Sequence, residues 1–228
     1  MQKIKKILIG THNKGKFKEI SYLLSKKTKK FSPNYFKIKS PKETGKSFQE
    51  NSLLKAKYFF KYSDMPSISD DSGLEVIALK KNPGIYSARW AKKYGSFEKA
   101  MKKILQLLSK KKNRRAIFVC SLSIKLNKKK IISVVGKIKG QISKKLKGKN
   151  GFGYDPIFIP EGELLTFAQM PKKKKIKIDH RYIAFMKLKK KLNFCKFFIF
   201  YFVNIKILNN FIIFKVKSPN FTFNLIFN

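Results

Sequence analysis

Acidic residues are scarce in this chain of 228 residues: Asp and Glu number 12 against 54 Lys and Arg, a formal net charge of +42. A charge so lopsided ordinarily favours a polyanion partner, because each cation set against phosphate releases condensed counterions. Arginine is scarce too. Only Arg89, Arg114, Arg115 and Arg181 occur, so the remaining fifty cations are lysines, and sequence-specific nucleic-acid readers lean on the planar fork of arginine. Codon drift toward AT-rich lysine, isoleucine, asparagine, phenylalanine and tyrosine explains the excess better than specific readout does, although non-specific adhesion to RNA or DNA is expected either way. The two cysteines, Cys120 and Cys195, make neither a disulfide framework nor a metal-ligand spacing, which suits a reducing compartment. The apolar run within Met1–Gly10 is too short for a signal peptide, and a cytoplasmic protein is expected. Charged residues at 29% exclude a multi-span membrane protein, and hydrophobic residues at 43% exclude a disordered polyelectrolyte.

What is present alternates. Lys3 to Ile9 reads as a short strand, followed by the loop Thr11-His12-Asn13-Lys14-Gly15-Lys16 and a helix with Phe17, Ile20, Tyr22, Leu23 and Leu24 on one face. Phe31 to Ser40 reads as a second strand. Ser47 with Glu50 three residues on has capping-box spacing for a helix to about Tyr62. Asp70-Asp71-Ser72-Gly73 reads as a turn before a strand from Leu74 to Leu79. A helix over Phe97 to Leu108, two strands joined by a turn at Asn127, a glycine-rich loop at Gly148 to Pro156 and a helix from Asp179 to Leu192 complete the pattern. Strands alternating with helices and then a hairpin predict an α/β domain around a mixed sheet with flanking helices. From Phe194 to Asn228 the character changes to ten Phe, four Lys, no acid and no glycine. The domain is therefore drawn at 1–193 and a C-terminal extension at 194–228. That extension is a poor membrane span, and it reads as a β-rich addition, a surface anchor or, the preferred reading, a drifted continuation past the functional end.

Where carboxylates are so few, their positions carry information. The loop Thr11 to Lys16 follows a strand and opens a helix, so its backbone N–H groups, with Lys14 and Lys16, can face an anion; in isolation it is an ordinary strand-to-helix turn. Asp70 and Asp71 cannot both sit in a core without a cation. A hard metal answers that need, because Mg²⁺ takes one or two carboxylates together with phosphate oxygens and waters, and Asp71 with Glu43 or Glu50 would suffice. Gly151-Phe152-Gly153-Tyr154-Asp155-Pro156 joins aromatic faces, on which a base can stack, to glycines that admit close backbone approach. His180-Arg181, preceded by Lys175, can contact a base carbonyl and phosphates.

Together the segments Thr11-x-Asn13-x-x-Lys16, Phe48-x-Glu50-Asn51-x-x-x-Lys55-Ala56, Ser69-Asp70-Asp71-Ser72-Gly73-Leu74, Pro83-Gly84-Ile85-Tyr86-Ser87-Ala88-Arg89, Gly151 to Pro156 and His180-Arg181 closely resemble the inosine/xanthosine triphosphate pyrophosphatase family, from Met1 to about Leu192. The resemblance implies Mg²⁺-dependent hydrolysis of non-standard purine nucleoside triphosphates (ITP, dITP, XTP) to monophosphate and pyrophosphate. It also implies an elongated two-lobed α/β molecule with its cleft between the lobes, usually a homodimer. By position, Thr11, His12, Asn13, Lys14, Gly15 and Lys16 would hold the triphosphate, and Glu43 with Asp71 would bind Mg²⁺. Asp71 would also accept the proton, and Ser72 would touch substrate. Phe152, Gly153, Tyr154, Asp155, Lys175, His180 and Arg181 would recognise base and sugar, with Lys55 a further phosphate contact.

Two positions depart from the pattern: His12 and Tyr182 stand where the family usually has glycine. If either needs positive φ, strain of ~1–3 kcal/mol follows. The rivals are a lysine-rich nucleic-acid-binding protein, a decayed member without activity, and a Maf-like pyrophosphatase acting on modified pyrimidines. The Gly-Phe-Gly-Tyr-Asp block and the His180-Arg181 pair argue against the last.

Overall fold

A computed structural model describes residues 4–201, 205–208, 211–217 and 222–227, with side chains to residue 192. The chain divides at Leu188/Lys189 into two compact units. In the first, strands β1 (Lys6–Ile9), β2 (Lys29–Phe31), β3 (Ser67–Val76), β4 (Arg115–Lys125), β5 (Ile131–Ile142) and β6 (Phe158–Pro160) form one sheet in the order β2-β1-β3-β4-β5-β6. β1 runs parallel to β2 and β3, and the pairings from β3 to β6 are antiparallel. Helices α1 (Lys14–Leu23), α2 (Phe48–Ser63), α3 (Ser87–Lys93), α4 (Phe97–Leu107), α5 (Lys172–Lys175) and α6 (His180–Tyr201) complete the order. The α/β class and the mixed sheet expected from the sequence are observed. In the second unit β7 (Ile205–Leu208), β8 (Phe211–Lys217) and β9 (Thr222–Phe227) make an antiparallel sheet. No helix among the described residues is long and apolar enough to cross a membrane.

Local chemistry sets the boundaries. Ser47 accepts a hydrogen bond from Glu50 N, and the Glu50 carboxylate accepts from Lys46 N and the Ser47 hydroxyl, so the capping spacing is realised and α2 starts where expected. The second strand ends at Phe31 rather than Ser40, because Pro33 fixes φ and opens a short 3₁₀ turn. Asn127 Oδ1 accepts from Lys129 N and Lys130 N and closes the β4–β5 turn. Asp70-Asp71-Ser72-Gly73 is no turn at all. It lies inside β3, where Asp70 pairs with Leu122 and Gly73 with Val119 of β4.

The larger apolar cluster lies under α4, and a smaller one of Leu8, Phe31 and Phe59 joins β1 and β2 to α2. Ala100, Met101 and Ile104 of α4, with Leu108, pack on Leu74, Phe118, Phe158 and Phe167, each fully buried aliphatic side chain contributing on the order of 2 kcal/mol. Under α2 the sheet presents hydroxyls instead: Ser52 Oγ lies 2.8 Å from both Ser121 Oγ and Ser123 Oγ, and Ser67 Oγ donates to Ala56 O. Small side chains let the helix sit close, and reciprocal bonding satisfies the hydroxyls of Ser52, Ser121, Ser123 and Ser67, while Ser69 Oγ is buried without a partner. Arg114 clamps the ends of β5 and α4, donating to the carbonyls of Ile142, Ser143 and Leu108.

Gly136 of β5 carries the start of α6. A Cβ there would come within 2.3 Å of both His180 O and Ala184 N, so the bare strand position is what admits the first turn of the helix. Substitution Gly136→Ala is expected to cost about 1–3 kcal/mol by overpacking against backbone and to lower the urea midpoint accordingly; an unchanged midpoint would refute the contact.

Candidate functional site

Alternation along β3 sends its two aspartates to opposite faces. Asp70, fully buried, accepts from Arg181 Nη2 at 3.0 Å and pairs with Lys16 Nζ at 3.2 Å. Burial opposes its ionisation, yet Lys16 and Arg181 hold the carboxyl well below the usual range. Asp71 turns toward α2, where Oδ2 accepts from Asn51 Nδ2 at 3.1 Å and Oδ1 lies 3.6 Å from Lys55 Nζ. Burial raises its pKa in spite of Lys55 and Lys16. The same Lys55 ammonium bonds to Glu43 Oε1, and burial of that ammonium is outweighed by Asp71 and Glu43, so its pKa is raised. Glu43 is fixed in turn through its backbone carbonyl, which accepts from Arg89 Nη2 at 2.7 Å.

A second charge group lies behind Asp70. Glu19 of α1, 6% exposed, accepts from Lys175 Nζ at 2.7 Å and from Arg181 Nη1. Lys175 also donates to Asp155 Oδ2 at 2.8 Å, which accepts from Phe152 N as well. Burial pushes Asp155 up against the pull of Lys175, while Glu19 is held low by Arg181 and Lys175 despite burial. The His180 ring stacks on Phe118 at 4.7 Å and 7°, with Nδ1 unpartnered, and burial beside Arg181 drives its pKa well below the ordinary value, so the ring is neutral. Arg181 Nε is likewise buried without a partner.

One cavity of about 100 Å³ gathers most of the predicted residues: Asn13, Lys16, Glu43, Asp71, Ser72, Phe152, Gly153, Tyr154, Asp155, Lys175, His180 and Arg181 all line it. Thr11, His12, Lys14 and Gly15 do not. Thr11 Oγ1 accepts from Asn13 N, Asn13 Oδ1 caps α1 by accepting from Lys16 N, and Lys14 and Gly15 open onto another cavity. His12 is bonded to a neighbouring loop through Ile38 O and Ser40 Oγ. Neither His12 nor Tyr182 has positive φ, so the anticipated strain is absent. Tyr154 is built into the core, its hydroxyl donating to Ser87 O and its ring edge-on to Phe97. Glu50 is committed to its cap and does not join Glu43 and Asp71. Sequence reading missed Glu19, Asn51 and Asp179 as parts of the site. Glu19 could have been found by the scarcity of acids, as the one carboxylate in α1.

The fold and site define an α/β protein whose cleft pairs a carboxylate-and-lysine end with an aromatic end backed by buried ion pairs. Residues 7–191 match the model of the Ham1 family. The chain is 40% identical over 186 residues to a dITP/XTP pyrophosphatase of Caulobacter vibrioides, covering 81% of this chain and 96% of the relative. It is also 40% identical over 192 residues to one of Haemophilus influenzae, covering 82% and 98%. The Ham1 protein structure from Staphylococcus aureus superposes with a TM-score of 0.74 at 36% identity, covering 83% of this chain and 98% of that one. A HAM1 protein from Coxiella burnetii gives 0.75 at 32%, covering 82% and 98%. This chain belongs to the Ham1 family.

Asp179 is a buried carboxylate that forms no ion pair among the described residues, although Arg181 and Lys175 lie near enough to favour its charge. Fully buried, it caps α6 by accepting from Tyr182 N at 2.8 Å, and its Oδ2 has no partner. Burial, with Glu19 nearby, pushes its pKa up to about 6. An acid whose folded value exceeds its unfolded one takes up a proton on folding, so stability falls as pH rises from about 4 through 6. Asp179→Asn keeps the capping oxygen and removes the charge. It is expected to stabilise the protein by the order of 1–3 kcal/mol at pH 7.5 and by progressively less toward pH 4, as read from urea midpoints across that range.

Proposed function

We propose that this chain hydrolyses non-standard purine nucleoside triphosphates, ITP, dITP and XTP, to the monophosphate and pyrophosphate. The observation that carries the reading is the sharing of one cavity by Glu43 and Asp71, both ion-paired with Lys55 outside its lining, and by the Phe152, His180 and Arg181 end. The relatives' names supply the reaction, and the cavity supplies a place for each part of it. Asn13, Lys16 and Lys55 would hold the polyphosphate, neutralising charge that grows on the leaving pyrophosphate. The cavity, about 100 Å³ and open to solvent, is smaller than ligand pockets of roughly 300 Å³ or more, so a nucleoside triphosphate would extend beyond it.

A divalent cation, proposed here to be Mg²⁺, fits the donors present. Two carboxylates already converge on one cation, Lys55, and no group of three His, Cys, Asp or Glu among the described residues could hold a metal alone. Glu43 and Asp71 would supply the protein's oxygens, leaving the remaining positions to phosphate and water. When bound, the metal would supply charge neutralisation and polarisation at the phosphates. Asp71, oriented by Asn51, would hold and orient the attacking water, and because a bound cation lowers the pKa of its carboxyl it would be a weak base whose chief task is orientation. At the other end, Arg181 Nε–H is a buried donor facing no acceptor, and neutral His180 can present a second through Nδ1, depending on its tautomer. A 6-oxo purine satisfies such donors and a 6-amino group does not, and unpaired buried polar groups reject the wrong base more strongly than shape does.

The full-length protein with Mg²⁺ is expected to convert ITP to IMP and pyrophosphate, with ATP turned over at least tenfold more slowly. Asp71→Asn should lower kcat by about 10²-fold or more. Release of IDP and inorganic phosphate, or equal rates on ATP, would overturn the reading. The cytoplasmic setting and the homodimer belong to the same proposal. Because like charge opposes association and salt screens it, the dimer should strengthen with ionic strength in sedimentation equilibrium.

A further inference from the structure

The β2 end of the sheet carries an aromatic surface that the cavity does not use. Leu8 of β1, Phe31 of β2 and Phe59 of α2 form a small buried cluster, with Phe36 and Tyr58 packed against it. Two tyrosines extend that cluster into solvent. Tyr35 meets Phe31 at 5.0 Å and Phe36 at 4.9 Å between ring centroids and is still 70% exposed, and Tyr62 meets Tyr58 at 4.6 Å and is 56% exposed. A ring anchored by its neighbours yet more than half exposed can take a base against it. Lysines border the same surface. Alternation puts Lys29 on the face of Phe31 and puts Lys6, its register partner in β1, on the face of Leu8. The Lys29 ammonium lies 5.3 Å from the Phe31 centroid, and that of Lys61 lies 5.6 Å from the Tyr62 centroid. Lys6, Lys29 and Lys61 are exposed, and among the described residues none of them forms an ion pair. Little negative charge offsets them. Glu19, the one acid in residues 1–42, is buried and committed to Lys175 and Arg181, and Asp64 at the end of α2 is the one acid in residues 51–69. We propose that this face binds single-stranded nucleic acid, with Tyr35 and Tyr62 stacking on bases and the lysines set against phosphates. Lys61, on a flexible stem, can leave Tyr62 for a phosphate as a base arrives. A duplex keeps its bases stacked on one another and offers these rings no free base, so single strands are favoured. The proposal is independent of the hydrolytic reading, whose residues it does not include.

Fifty lysines make it necessary to separate stacking from diffuse attraction. Binding of short labelled oligo(dT) and oligo(U) to the full chain is measured by fluorescence anisotropy at raised salt, which separates DNA from RNA, with a duplex of the same length and inorganic polyphosphate as parallel ligands. At least one of the single strands is expected to bind severalfold more tightly than either parallel ligand. Tyr35→Ala with Tyr62→Ala removes no charge and should weaken single-strand binding at least tenfold, whereas Tyr35→Phe with Tyr62→Phe should leave it. Lys29→Ala with Lys61→Ala should weaken it more than the same loss of charge at Lys110 and Lys111, exposed beyond α4. Circular dichroism checks that each variant folds, and pyrophosphate release from ITP should be unchanged in both tyrosine pairs. Equal binding by the alanine pair and the unaltered protein, duplex or polyphosphate bound as tightly as either single strand, or equal losses in the two lysine pairs would each overturn the proposal. So would an alanine pair that detaches from vesicles of anionic phosphatidylglycerol but keeps its oligonucleotide, which would assign the face to a lipid surface. Absence of pyrophosphate release from ITP in the unaltered protein would sink the functional reading alone.

Discussion

The structure depends on Arg181 being held on both sides. Its guanidinium bonds Glu19 of α1 through one nitrogen and Asp70 and Ser72 of β3 through another. A buried guanidinium is tolerable only when its charge is met, as Glu19 and Asp70 meet this one although Nε has no partner, and removing one partner of such a pair typically costs 3–5 kcal/mol. The network therefore does positional work: it fixes the first turn of α6 against the middle of β3 and draws α1 to both. Lys175 repeats the device with Glu19 and Asp155, and so ties the glycine-rich loop to the same point. Without these pairs His180 and Phe152 would have no fixed relation to Asp71.

Adjacent aspartates on a strand then divide the labour. Asp70 faces the buried arginine and is spent on structure; Asp71 faces α2 and the cavity, where Asn51 and Lys55 orient it. The environments push the two pKa values in opposite directions, down for the carboxylate between two cations and up for the one whose burial is less fully compensated.

Much of this was legible in the sequence. The capping pair Ser47 and Glu50, the Asn127 turn and the order of strands and helices are local signals, and local signals survive folding. The Asp70–Gly73 segment was misread as a turn, because a strand interior that buries two carboxylates is credible only once Lys16, Lys55 and Arg181, all distant in sequence, are known to arrive there. Residue motifs placed Asp71, Glu43, His180 and Arg181 near one another. They could not show that Tyr154 is core, that Lys14 faces a different hollow, or that His12 reaches across to Ile38 and Ser40, since each depends on how separate segments pack. Glu19 and Asp179 were overlooked for the same reason.

Arg114 has a consequence beyond the joint it closes. Its planar head meets three carbonyl groups at once, a task that the single ammonium point of a lysine cannot perform. In a chain that draws on lysine fifty times and on arginine only four, three of the four meet backbone or paired anions: Arg114 staples a corner, Arg181 bridges two anions, and Arg89 grips the Glu43 carbonyl, while Arg115 is exposed. At Arg114 and Arg181 the planar fork spans several acceptors at once, so lysine there would leave some of them without a donor.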